Sequence, residues 1–356
     1  MDLSALLWLA LGLAGLALGG ELLVRAASRL ATLLGLSPLV IGLTVVAWGT
    51  SAPELAVSLQ AGFSGKADLA VGNVVGSNIA NVLLILGVCA VMAPLVVQAR
   101  IVRREVPIGI ATALVVFAMA ADGRIGRLDG VVLVAGMLAY TAYAVVQSRR
   151  ETRAVREEYA EAYGPAEHGP EGAAGVAREL AILLAGLVVL VLGARWLVGA
   201  AVGIAQALGV PEVVIGLTVV AVGTSLPELA ASVVASLRGV RDIAIGNAIG
   251  SNLYNLLAIL GIASLATPGG LLVAPGILRF DLPVMLAVAA ACLPIFFVGQ
   301  RLERWEGWMF LGYYAAYLAY LALDAVDHDA LDEFGFAMAA FVMPITAATI
   351  GVLVWR

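Results

Sequence analysis

The stretch GTSAPELAVS, Gly49–Ser58, returns as GTSLPELAAS, Gly223–Ser232. Each copy sets a proline and a glutamate, Pro53 with Glu54 and Pro227 with Glu228, inside a long apolar run. A proline within a helix removes the hydrogen bond to the carbonyl four residues back and pushes that turn open. An ionised carboxylate at the centre of a membrane helix costs roughly 2.5–3.5 kcal/mol on insertion scales, so such a residue marks function by default. Aligned without a gap, residues 40–87 and 214–261 agree at about 30 of 48 positions, which identifies an internal duplication.

The remaining sequence sets the surroundings of that motif. Of 356 residues, 62% are hydrophobic and only 13% charged, and the mean hydropathy is +1.02. A soluble domain carries about twice that share of charge, so the chain reads as a polytopic membrane protein. Eleven apolar stretches of membrane-crossing length are predicted, from 3–24 to 334–354, among them 212–237 and 305–323. Cys89 and Cys292 lie within such stretches, and His168 and His328 fall in loops, so neither a disulfide framework nor a Cys/His metal site is expected. No resident cofactor and no nucleic-acid partner is expected. The partners implied are inorganic cations and the lipid bilayer.

Arginines concentrate on one side. Arg25, Arg29, Arg100, Arg103, Arg104, Arg149, Arg150, Arg178, Arg238, Arg241, Arg301 and Arg304 follow odd-numbered spans, against Lys66, Arg124, Arg127 and Arg279 on the other side. The positive-inside rule then places the N-terminus outside, with the 148–178 segment and the C-terminus in the cytoplasm of a plasma or inner membrane.

The duplication reaches beyond the motif. LALGG (16–20) matches LVLGA (190–194), and RREVP (103–107) resembles RFDLP (279–283), which gives each unit five spans. An odd number makes the second copy enter the membrane from the opposite side, so the repeats are inverted, an arrangement used by secondary transporters. The fold expected is an all-α polytopic membrane protein. It has a first five-helix repeat (1–147, motif 40–87), a charged cytoplasmic linker (148–178) and a second, inverted repeat (179–323, motif 214–261). An acidic outer loop and an eleventh helix (324–356) follow.

The motif brings hard oxygen donors together. Pro53 and Pro227 each leave a carbonyl, Gly49 and Gly223, without its helical donor. Thr50 and Ser51 precede Glu54 by four and three residues, a spacing that puts them on one helix face, and Thr224, Ser225 and Glu228 repeat it. Hydroxyl, carboxylate and carbonyl oxygens suit Na⁺, Ca²⁺ or Mg²⁺ over softer metals. A second polar stripe follows, Asn73, Ser77 and Asn81, matched by Asn247, Ser251 and Asn255. Gly72 with Gly76, and Gly246 with Gly250, form GxxxG pairs that permit close helix approach. Asn78 and Asn252 can either cross-link helices or touch the substrate. Two carboxylates give a site of charge about −2, satisfied by one Ca²⁺ or by two or more Na⁺, so the two loads compete for one charge.

GTSAPE, GTSLPE, GNVVGSNIAN and GNAIGSNLYN resemble the paired motifs of the sodium/calcium exchanger branch of the cation/calcium antiporter superfamily, and the likeness extends over about residues 1–323. The resemblance implies a ten-helix core in which Glu54 and Glu228 are the central ligands and Asn81 and Asn255 their partners. It further implies Thr50, Ser51, Ser77, Thr224, Ser225 and Ser251 as hydroxyl ligands, with the carbonyls of Ala47 and Ala221 completing Na⁺ sites. External Na⁺ would be exchanged for internal Ca²⁺ by alternating access. Some relatives, including K⁺-dependent ones, carry aspartate at the position of Asn255, which argues against K⁺ dependence here. Thr50 and Thr224 stand where the proton-coupled branch has asparagine, which favours Na⁺ as the coupling ion, with H⁺/Ca²⁺ antiport the runner-up.

Other classes fit less well. A cation channel would more naturally surround a pore by oligomerising than by inverted duplication. An enzyme is not expected, because no histidine lies in a span and no nucleophile–base pair stands out.

Overall fold

A computed structural model describes residues 3–163, 173–209, 215, 221–326 and 328–355, and they are overwhelmingly helical. Helix α1 spans Leu3–Leu34. α2 (Pro38–Thr50) and α3 (Ala52–Phe63) form one span bent by 41°, and α4 (Ala67–Met92) and α5 (Ile101–Asp122) follow. α6 runs Arg127–Tyr163 and α7 Ala173–Ala207. The second motif comprises α8 (Ala221–Thr224), α9 (Leu226–Leu237) and α10 (Arg241–Ala266). α11 (Ile277–Phe297) and α12 (Arg304–Ala325) come next. The last helix, α13, passes from Ala330–Ala337 through a π turn at Met338–Val342 into Met343–Trp355.

Local chemistry accounts for the breaks. The Ser37 hydroxyl accepts from the Val40 amide and Pro38 opens α2, a hydroxyl cap with proline in the first turn. Pro53 and Pro227 likewise sit in the first turn after a break, where a missing amide costs little, while Pro107 and Pro283 stand just after π turns at Ile101–Glu105 and Ile277–Asp281 within α5 and α11. Asp68 and Asp242 occupy the first turns of α4 and α10, where an acid complements the helix dipole.

Eight described helices are long and apolar enough to cross a membrane, nine with the bent α2–α3 pair. Two of the eleven predicted spans account for the difference. The 212–237 stretch falls partly outside the described residues. The 305–323 stretch is α12, long enough at 22 residues but made less apolar by Tyr313, Tyr314, Tyr317, Tyr320 and two tryptophans. Within 148–178, α6 continues to Tyr163 and α7 begins at Ala173; residues 148–163 are rich in Ala, Arg and Glu, strong helix formers. Residues 164–172, with His168, lie outside the described residues.

Two short antiparallel pairings relate the halves. Leu95–Val96, after α4, pairs with Arg301–Leu302, after α11. Arg124–Ile125, after α5, pairs with Leu271–Leu272, after α10. The loop after the third helix of each unit therefore meets the loop after the fourth helix of the other. Those two loops lie at opposite ends of a unit, so the pairing is open to copies of opposite orientation and closed to copies of the same orientation. The fold is that of an all-α polytopic membrane protein.

α4 and α10 form the centre, with 78% and 83% of their most apolar stretches buried, against 0% for α13. α1 and α7 pack against each other through glycines. A Cβ on Gly12 would stand 2.7 Å from Leu197 N, one on Gly19 2.6 Å from Leu190 N, and one on Gly193 2.7 Å from Leu16 N. Small residues let two backbones touch in this way, and the α1–α7 pair packs against α2, α8 and α9. Glu21 on α1 forms ion pairs with Arg25 and, at 2.7 Å, with Arg238 beyond α9.

The peripheral place of α13 leads to a prediction. A chain ending after Leu323 is expected to unfold within about 2–4 °C of the full chain, measured by thermal unfolding of purified protein. A much larger drop would assign α13 to the core.

Candidate cation site

The bend in each motif occurs one residue before the second helix begins. Ser51 (φ −81°, ψ 5°) separates α2 from α3, and Ser225 (φ −90°, ψ 7°) separates α8 from α9. Thr50, Ser51 and Glu54 therefore do not share the face of one continuous helix, as their spacing predicted. Thr50 ends α2, Ser51 stands at the bend, and Glu54 lies in the first turn of α3. Both glutamates are completely withdrawn from solvent, at 0% and 1% exposure. They lie within electrostatic reach of each other, and the Glu228 carboxylate sits beside Thr50 and Ser51 of the opposite copy.

Asparagines on α4 and α10 brace the bends. Asn73 Nδ2 donates to the Glu54 backbone carbonyl (3.3 Å) and to Ser58 Oγ (3.2 Å). Asn247 Nδ2 does the same for the Glu228 carbonyl (3.2 Å) and Ser232 Oγ (2.9 Å). Asn247 also accepts from Thr50 Oγ1 at 3.0 Å, which ties the two copies together. The sequence placed Asn73 and Asn247 on the polar stripe but missed their role as braces, and it missed Ser58 and Ser232 altogether. Their recurrence four residues after each glutamate was the available signal.

Further along the same helices, Asn81 and Asn255 each open a π turn, Asn81–Leu86 and Asn255–Ile259. Such an extra residue in a turn re-aims side chains and is frequent at functional sites. Asn81 Nδ2 donates to Asn252 Oδ1 (2.9 Å) and Asn255 Nδ2 to Asn78 Oδ1 (3.0 Å). Asn78 and Asn252 are thus cross-links between the copies, one of the two roles the sequence left open. Ser225 Oγ approaches Ser77 Oγ at 3.5 Å, a further contact across the copies.

The buried oxygens around the glutamates lack protein donors. Ser51 Oγ, both carboxylate oxygens of Glu54, Glu228 Oε2, Asn81 Oδ1, Ser251 Oγ and Asn255 Oδ1 have no hydrogen-bond partner. Buried polar atoms are ordinarily paired, and an orphan calls for an ion, a water or strain. A set consisting only of oxygens, two of its members carboxylates, is suited to a hard cation. No cluster of three or more His, Cys, Asp or Glu occurs among the described residues, so charge at the site comes from the two glutamates and the rest from neutral oxygens.

The two copies are not equivalent. Thr50 is buried while Thr224 is half-buried. The Ala47 carbonyl accepts from the Ser51 amide (3.1 Å) and lies 3.4 Å from Thr50 Oγ1, so it is engaged within the helix end. The side chain of Ala221, and Gly216, lie outside the described residues. The second GxxxG pair packs as predicted, with Gly246 and Gly250 against the backbone of α2. For Gly72 and Gly76 the symmetry-related partners fall mostly in 210–220, outside the described residues.

A duplicated, membrane-embedded helical bundle closing on a buried acidic centre defines a multi-pass ion transporter. A model of the family described as sodium/calcium exchanger protein matches residues 4–146 and 178–323, and the chain belongs to that family. It is 37% identical over 320 residues to the putative antiporter CaxA of Alkalimonas amylolytica, covering 87% of this chain and 98% of that one. It is 35% identical to the sodium/calcium exchanger MaX1 of Methanosarcina acetivorans, covering 86% and 95%. The solved structure of the sodium-calcium exchanger NCX_Mj soaked with 2.5 mM Na⁺ and 0.1 mM Ca²⁺ superposes with a TM-score of 0.74 at 29% identity. That match covers 90% of this chain and 99% of that one.

Proposed function

We propose that this protein exchanges Na⁺ for Ca²⁺ across the plasma or inner membrane by alternating access, Na⁺ entry driving Ca²⁺ efflux. The observation that supports this most strongly is the set of donorless buried oxygens about Glu54 and Glu228. In this reading the two carboxylates supply the shared charge. Thr50, Ser51, Ser77, Asn81, Thr224, Ser225, Ser251 and Asn255 supply neutral oxygens, and the carbonyls of Ala47 and Ala221 join them when the bends rearrange. One Ca²⁺ neutralises the pair, and so do two or more Na⁺, so occupancy by one load excludes the other. Residues 1–147 and 179–323 act as the two repeats, with the N-terminus outside and the 148–178 segment and C-terminus in the cytoplasm.

Purified protein in proteoliposomes tests the coupling ion. Ca²⁺ uptake is expected to follow an imposed Na⁺ gradient and not to be driven by a K⁺ or H⁺ gradient of the same size in the absence of Na⁺. Uptake driven by a proton gradient without Na⁺ would instead assign H⁺/Ca²⁺ exchange, and unitary currents would assign a channel.

A further inference from the structure

The amide of an asparagine offers an oxygen at one end and an NH₂ group at the other, of nearly equal size. A cation attracts the first and repels the second, so an asparagine ligand is useful only if something fixes which end points inward. Asn81 and Asn255 face that problem, since both are buried and both leave their Oδ1 without a donor.

Their NH₂ ends are held from behind, and reciprocally. Asn81 donates to Asn252 Oδ1, and Asn255 donates to Asn78 Oδ1. Asn78 is fixed in turn, its Nδ2 donating to the Asn252 backbone carbonyl (3.3 Å) and lying 3.6 Å from Met285 Sδ. With Asn78 Nδ2 so committed, its Oδ1 is the end left for Asn255. Flipping either Asn81 or Asn255 would set oxygen against oxygen and put an NH₂ group where the donorless oxygen now stands. The clamp crosses from one copy to the other, so each ligand amide is oriented by the opposite repeat.

We infer that Asn78 and Asn252 are positioning residues: their side-chain oxygens hold the amides of Asn255 and Asn81 with the carbonyl ends toward the transported cation. This rests on the proposed cation site and deepens it by assigning two residues that need not touch the ion.

The test is Ca²⁺ calorimetry on the full chain, with the thermal midpoint of each variant taken in ion-free buffer. Asn78→Leu and Asn252→Leu remove the acceptor, and each is expected to weaken Ca²⁺ binding by about tenfold or more, the effect of freeing a buried hydrogen-bonded ligand. Asn252→Asp keeps an acceptor for the clamped NH₂ group and is expected to restore affinity to within about threefold; Asn78→Asp does not serve, since it would remove the Nδ2 donor to the Asn252 carbonyl. Asn252 is half-buried, so its variants remain informative if Asn78→Leu does not fold. Leucine variants that bind as the wild type does while Asn81→Ala loses affinity would overturn the clamp alone. Equal losses for Asn252→Leu and Asn252→Asp would also overturn it. Wild-type binding by Asn81→Ala and Glu54→Gln together would overturn the site itself, and the clamp with it.

Discussion

Glu54→Gln and Glu228→Gln are each expected to lower Ca²⁺ affinity by at least about a hundredfold and to abolish Na⁺-driven Ca²⁺ flux. Glutamine preserves shape and an oxygen but removes one unit of charge. Two unit charges about 4 Å apart interact by about 4 kcal/mol at an effective dielectric of about 20, and a hundredfold is about 2.7 kcal/mol. Both side chains are buried, and the two copies set them within reach of one another, so neither charge is replaced by solvent or by a basic partner. A proton on either carboxylate does what glutamine does. Wild-type affinity is therefore expected to fall as pH falls, and each glutamine variant to show a weaker dependence, since one titrating group is gone. Calorimetric titration with Ca²⁺ at several pH values measures both effects. Wild-type affinity in both variants would show that the glutamates are structural.

Gly250→Ala is expected to destabilise the protein by about 1–3 kcal/mol or more and to lose cation binding with it. A Cβ at this position would stand 2.6 Å from Leu43 O, 2.7 Å from Leu43 Cα and 2.9 Å from the Ala47 Cβ. The first two are backbone atoms of α2, which cannot rotate away, so α10 and α2 must separate. That separation pulls on the Thr50–Asn247 bond and displaces Ser251, the next residue along α10. Gly312→Ala is the control. Gly312 is exposed on α12 with no described atom within 4 Å of a Cβ, and alanine there is expected to be neutral or to add up to about 1 kcal/mol through helix propensity. Thermal unfolding in detergent compares the two. Equal midpoints for both variants would mean that the α2–α10 seam tolerates expansion.

Much of the architecture was legible beforehand because its signals are local. Span lengths, the proline breaks and acids at helix starts follow from a few adjacent residues, and an exact offset between copies makes duplication visible without coordinates. The boundaries least well read were those set by surroundings. Charge in 148–178 does not reveal that α6 runs on to Tyr163, a stretch where alanine, arginine and glutamate favour helix. The π turns at Asn81 and Asn255 leave no mark in composition, since the extra residue is absorbed by neighbouring helices.

The sequence by itself determined the chemistry of this protein: two acids behind two prolines, flanked by hydroxyls and amides, repeated in an odd-numbered unit within an apolar chain. Residue type and spacing suffice for that, because hydropathy and proline sterics act at short range. Only the tertiary structure decided how the oxygens are presented. Thr50 bonds Asn247 across the copies, Asn247 also braces its own copy, and Asn78 and Asn252 reach over to hold the amides of Asn255 and Asn81. Each of these links joins residues well over a hundred positions apart or turns on which end of an amide is bonded. Such choices are made where the two copies of the motif pack against each other, not within either copy alone.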